Sequence, residues 1–99
     1  MILEVANLNV KPGMAPSFEK DFETASQFIS SIPGYISHEL RRCMEMKNRY
    51  ILLVNWKTLE AHTVDFRQSS AYEEWRRLLH HYYDPFPTVE HYEIVHSSL

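Results

Sequence analysis

Hydrophobic positions along this chain of 99 residues follow two alternating periods, and the switches between them outline a fold. Residues 2–10 are rich in Ile, Leu and Val and stop at Lys11-Pro12-Gly13, which predicts a strand. Phe18, Phe22, Ala25, Ile29 and Ile32 then recur at spacings of four, three, four and three. That is one face of an amphipathic helix, with Glu19, Lys20, Glu23 and Gln27 towards water. Pro16 suits its first turn, and Pro33-Gly34 ends it. Residues 35–44 alternate again, with Ile36, His38, Leu40, Arg42 and Met44 on one side. The polar hairpin loop Glu45-Met46-Lys47-Asn48 leads into a strand over residues 49–56. Thr58 can cap a short helix whose Leu59, His62 and Phe66 share a face. Ser70-Ala71-Tyr72-Glu73 has the spacing of a capping box and opens a helical segment with Tyr72, Trp75 and Leu79 inward. Asp84-Pro85-Phe86-Pro87 is a stiff turn into a last strand over residues 88–96.

The element order is β-α-β-β-α-β. With right-handed crossovers it gives an α+β, ferredoxin-like fold: a four-stranded antiparallel sheet with both helices on one face and the first and third strands central. The third strand is apolar on both sides, with Tyr50, Leu52, Val54 and Trp56 on one and Ile51 and Leu53 on the other. A sheet bare on one face should alternate apolar with polar. The second apolar face therefore calls for cover, and a second copy of the sheet supplies it as a two-fold homodimer.

Composition narrows the function classes. The length fits one domain over residues 1–99, with a core that is marginal without a partner. A net charge of −3 with scattered basic residues gives no footprint for nucleic acid. Asn48-Arg49-Tyr50-Ile51-Leu52 also lacks the glycine and aromatics of an RNA-reading third strand. Cys43 is the single cysteine, which suits a reducing, cytoplasmic compartment. Met1-Ile2-Leu3-Glu4 lacks the basic start of a signal peptide, and the longest apolar run, residues 50–54, is too short to span a bilayer.

Candidate chemistry concentrates in residues 79–92, where half the side chains are His, Tyr or Phe. Histidine suits proton transfer because its ordinary pKa lies near neutrality. His62 falls on an inward helix face, and of the adjacent His80 and His81 only one can point inward. His91 shares a face of the last strand with Val89. Phe66, Trp75, Tyr83 and Phe86 are candidate walls, and His38 and Arg42 share a face of the second strand. None of the histidines has the i, i+4 spacing of a helical ligand pair, so no metal site is expected.

The order of elements, the Lys11-Pro12-Gly13 turn, Pro33-Gly34-Tyr35 entering the second strand and Trp56 closing the third together resemble the antibiotic biosynthesis monooxygenase (ABM) family over the whole chain. That resemblance implies a dimeric α/β barrel in which two ferredoxin-like sheets pack face to face. It also implies oxidation of a quinol or other aromatic small molecule by O₂ with no bound cofactor, or a non-catalytic aromatic-ligand-binding or stress-related module on the same fold. A related barrel isomerase acting on lactones would use the same histidines without O₂. Trp56 matches the family's strand-end tryptophan. Four positions before it the polyketide oxygenases carry asparagine where this chain has Leu52, and six positions after it a tyrosine where this chain has His62. The haem-degrading branch carries its histidine ligand at the position of Arg76, one turn before His80. The expected catalytic groups are His62, His80 and His91. The expected substrate contacts are Trp56, Phe66, Trp75, Tyr83, Phe86, Arg42 and His38.

Overall fold

The computed structural model describes residues 1–99. Four strands, β1 (Ile2–Asn9), β2 (Tyr35–Arg42), β3 (Arg49–Trp56) and β4 (Val89–Tyr92), form one antiparallel sheet in the order β2-β3-β1-β4. Helices α1 (Ala15–Ile29) and α2 (Ser70–Leu79) cover one face, as the ferredoxin-like reading expects. β1 is paired along its whole length with β3, from Ile2 opposite Trp56 to Asn9 opposite Arg49. This register puts Glu4, Ala6 and Leu8 in one row with Tyr50, Leu52, Val54 and Trp56, all of them buried beneath the helices.

Phe18 shows why α1 docks where it does. It is wholly buried, with the rings of Phe22, Tyr50, Tyr82 and Tyr83 at centroid distances of 6.0, 5.0, 5.6 and 5.9 Å. Such a cluster anchors the helix through area and edge-to-face contact together. On the opposite face of the sheet Leu3, Val5, Ile51 and Leu53 lie side by side, partly exposed and without a helix over them.

Several local expectations change. A bulge between Tyr35 and Ser37 shifts the phase of β2, so that Tyr35 joins His38 while Ile36 turns outward. Met44 lies beyond the strand and is exposed. α1 ends at Ile29, before Ile32, and β4 has only four residues, leaving Ile94 and Val95 exposed. The N-cap of α2 is Ser69 rather than Ser70: its hydroxyl accepts from the Tyr72 N–H at 3.1 Å, and Glu73 pairs with Arg76 instead of reaching back.

Thr58 does cap the segment after β3, accepting from the Ala61 N–H at 3.1 Å. The segment over Ala61–Phe66 is then a π-helix, closed by the Arg67 N–H donating to the His62 carbonyl at 3.3 Å. Its wider turn carries Ala61, His62 and Phe66 inward and leaves Leu59 outside. Gly34 permits this close approach. Its φ is +97°, and a Cβ there would stand 2.7 Å from the Ala61 Cβ.

Candidate functional site

A cavity of about 380 Å³ opens between the sheet, the π-helical turn, α2 and the turn before β4. Its size falls at the lower end of ordinary ligand pockets, roughly 300–1,000 Å³. Ala6, Leu8, Leu52 and Val89 make an aliphatic floor, and Phe66, Tyr72, Trp75, Tyr83 and Phe86 make aromatic walls. The polar groups that reach it are few: Glu4, His62, Arg67 and His80, besides the Tyr hydroxyls.

Glu4 was not among the expected site residues, yet it organises the polar end. It is only 4 % exposed, and its Oε1 accepts from the Trp56 indole N–H at 2.9 Å. The His62 Nε2 lies 3.4 Å from the same oxygen, and the His62 Nδ1 is 2.8 Å from the His91 Nε2. The His62 ring stacks on Trp56 with centroids 5.3 Å apart and planes 21° from parallel. An indole hydrogen-bonded to a carboxyl and a hydrogen-bonded pair of imidazoles thus stand side by side, with His62 in close contact with Glu4, the groups being drawn from β1, β3, the π-helical turn and β4. Glu4 and His91 both reach His62, and they sit opposite each other in the β1–β4 register.

Burial sets the charge states. It raises the Glu4 carboxyl to about 6, against the opposing pull of the Trp56 hydrogen bond and the Arg67 charge. Burial likewise brings the His62 imidazole down to about 3, with Arg67 and His91 acting in the same direction, so the ring is neutral at neutral pH. His91 is lowered by burial and then by Arg67. The pattern that satisfies both contacts has the His62 Nε2–H facing Glu4 and the His62 Nδ1 accepting from the His91 Nε2–H. Nδ1 of His62 is then hydrogen-bonded, and its Nε2 edge faces the carboxyl.

His80 faces the cavity and its imidazole makes no hydrogen bond within the chain, the ring lying 5.0 Å from that of Phe86 and 6.0 Å from that of Tyr72. Burial, then the charge of Arg76, lowers its pKa. Its neighbour His81 is exposed and packs on Tyr82. Burial pushes the Tyr83 phenol well above its ordinary value, which leaves it a hydrogen-bond donor and not a phenolate. Arg67 is exposed at the cavity and has no carboxylate partner, so it is a free cation at the entrance.

Of the residues expected from the sequence, the cavity brings together His62, His80, Phe66, Trp75, Tyr83 and Phe86. His91 and Trp56 stand behind His62 and do not line the space. His38 lies elsewhere, bound through Nδ1 to the Tyr35 hydroxyl and packed against Phe22. Arg42 is also remote, paired with Glu19 at 2.6 Å on an exposed edge. The one sequence signal for Glu4 is strand alternation, which places an acid in the row of Ala6 and Leu8. Nothing in the sequence separates Arg67 from other surface arginines, because only the π-helical turn brings it to the cavity.

Comparison with known proteins agrees with this architecture. YczJ of Bacillus subtilis, which is uncharacterized, is 52% identical over 95 residues, spanning 96% of this chain and all of that one. The crystal structure of a candidate antibiotic biosynthesis monooxygenase from Bordetella bronchiseptica superposes with a TM-score of 0.90 at 36% identity, covering 95% of this chain and 96% of that one. SnoaB, a cofactor-independent oxygenase of Streptomyces nogalater, shares the fold at a TM-score of 0.78 and 20% identity, over 98% of this chain and 95% of its own. Residues 1–78 match the family description antibiotic biosynthesis monooxygenase, and the chain belongs to that family.

Proposed function

We propose that the protein is a homodimeric, cofactor-independent monooxygenase that oxidises a quinol or related aromatic small molecule with O₂. The observation that carries this reading is the cavity itself, a flat-walled aromatic space with one carboxyl and one unengaged imidazole facing into it. Such a substrate is its own electron donor once a hydroxyl proton has left. The phenolate passes one electron to O₂, and the resulting radical pair combines to form a ring C–O bond. The peroxide takes up a proton to give a hydroperoxide. Loss of water then leaves one oxygen on the ring, whereas loss of hydrogen peroxide leaves the simple quinone. The chain supplies a proton acceptor, aromatic walls that keep water out, and His80 as hydrogen-bond partner for a substrate oxygen.

The dimer belongs to the same proposal. The open face of the sheet carries Leu3, Val5, Ile51 and Leu53, and a second sheet packed on it would bury that row. The test is O₂ consumption with menadiol-type quinols. Uptake above autoxidation, reduced several-fold by His80→Ala, is the expected outcome. Rates that stay at autoxidation across a quinol panel refute it. Thermal stabilisation by the same aromatics without O₂ uptake would select the ligand-binding module instead.

A further inference from the structure

We propose that Glu4 is the group that removes the substrate's hydroxyl proton, held for that task by Trp56 on one side and a His62–His91 pair on the other. This inference rests on the oxygenase reading of the cavity and adds its base.

Three observations converge on Glu4. It is the only carboxylate that lines the cavity. Its Oε1 is committed to the Trp56 N–H and to the edge of His62, while Oε2 makes no hydrogen bond within the chain and keeps its lone pairs for a guest. Moreover, a carboxylate is not required to satisfy the buried indole. A glutamine oxygen would accept the same N–H without the cost of burying a charge. The imidazoles are less suited to the role. With Nδ1 bonded to His91 and the Nε2 edge turned to the Glu4 carboxyl, His62 turns neither nitrogen to a guest, and His91 does not reach the cavity. They act as positioning residues: His91 fixes the tautomer of His62, and His62 aims an N–H at the carboxylate, as second partners do around metal-bound or catalytic imidazoles.

The step balances. A quinol O–H gives its proton to Glu4 Oε2, leaving a quinolate and a carboxylic acid. The quinolate transfers one electron to O₂, and semiquinone and superoxide join through a new C–O bond. The peroxide oxygen takes the proton back from Glu4, which returns to the carboxylate. The hydroperoxide then loses water to give a hydroxyquinone. The titratable and charged groups around this carboxyl are His62 and Arg67 from the π-helical turn, His91 from β4, and His80 and Tyr83 across the cavity. With this surround the carboxyl titrates near 6, where a general base works best at neutral pH.

The test compares wild type with Glu4→Gln, which keeps the acceptor for Trp56. In steady-state assays with a menadiol-type quinol, wild-type kcat/KM should rise with pH through a limb near 6. Glu4→Gln should lose about 100-fold or more in kcat with little change in KM, and should lose that limb. An unchanged kcat with the limb intact, or removal of the limb by His80→Ala, overturns the proposal. A second readout needs no turnover. Bound 4-nitrophenol, followed by its phenolate absorbance, should ionise at higher pH in wild type than in Glu4→Gln, because a carboxylate repels the phenolate. Equal ionisation in both proteins, or no binding by either, overturns the assignment. Different ionisation without any quinol turnover leaves Glu4 in contact with the phenol and rejects only the oxygenase reading.

Discussion

Replacing Glu4 by glutamine should make the protein more stable at alkaline pH, and the size of the gain follows from the burial of its carboxyl. Folding moves this group from its ordinary 4.5 to about 6. Below 4.5 both folded and unfolded chains hold the proton, so the carboxyl contributes no difference. Between 4.5 and 6 the folded state keeps a proton that the unfolded state has released, and stability therefore falls as pH rises. Above 6 the full cost is in place, about 2 kcal/mol for a displacement of this size. Glutamine removes the charge and retains the acceptor for the Trp56 N–H. The variant should thus exceed wild type by about 2 kcal/mol at pH 8, with the gap closing towards pH 4. His62, lowered to about 3, weakens both proteins as pH falls below 6.5, and this common loss largely cancels in the comparison. Urea unfolding followed by circular dichroism at fixed protein concentration gives the difference, the concentration being held because association would add its own stabilisation. A variant no more stable than wild type at pH 8, or a gap that does not shrink with acid, would refute the picture of a carboxylate buried at a cost. Combined with lost turnover, the gain would mark a group retained for chemistry at the expense of stability.

Two further substitutions test the frame around the site. Gly34→Ala should cost more than about 1 kcal/mol in unfolding free energy by urea titration and shift the absorbance of Trp56, because a Cβ at this positive φ collides with Ala61 and pushes the π-helical turn outward. A fully stable alanine variant would contradict that contact. Leu53→Asp places a charge on the bare sheet face and should convert the proposed dimer to a monomer in sedimentation velocity, whereas an unaltered sedimentation coefficient would remove this face as the proposed interface.

How much of this was legible in the sequence depends on whether the signal was local. The bounds of β3 and the inward row of α1 follow from periodicity, because each is set by residues within one element burying one face. Sheet order followed from connectivity and handedness. The β2 bulge did not, since it arises where Tyr35 and His38 bond to each other on the helix side and the strand must skip a residue to allow it. The helix cap was misplaced by one because two adjacent serines offer the same hydroxyl, and only the chain's approach selects Ser69. At the site, the aromatic walls were readable from composition and helical spacing. Glu4 was not, because its meaning depends on Trp56 and His91, each distant in sequence. An acid on an otherwise apolar strand row was the one local clue.

β4 is an edge strand of four residues, bonded to β1 alone, and it carries the imidazole hydrogen-bonded to His62. Edge segments with few ladder bonds open locally at far lower free energy than central strands do. The proposed proton chemistry is therefore attached to the least secure rung of an otherwise well-anchored sheet. Fraying of this short ribbon would leave the Phe18 cluster undisturbed and yet release the histidine pair, so the proposed reactivity would be lost long before the shape.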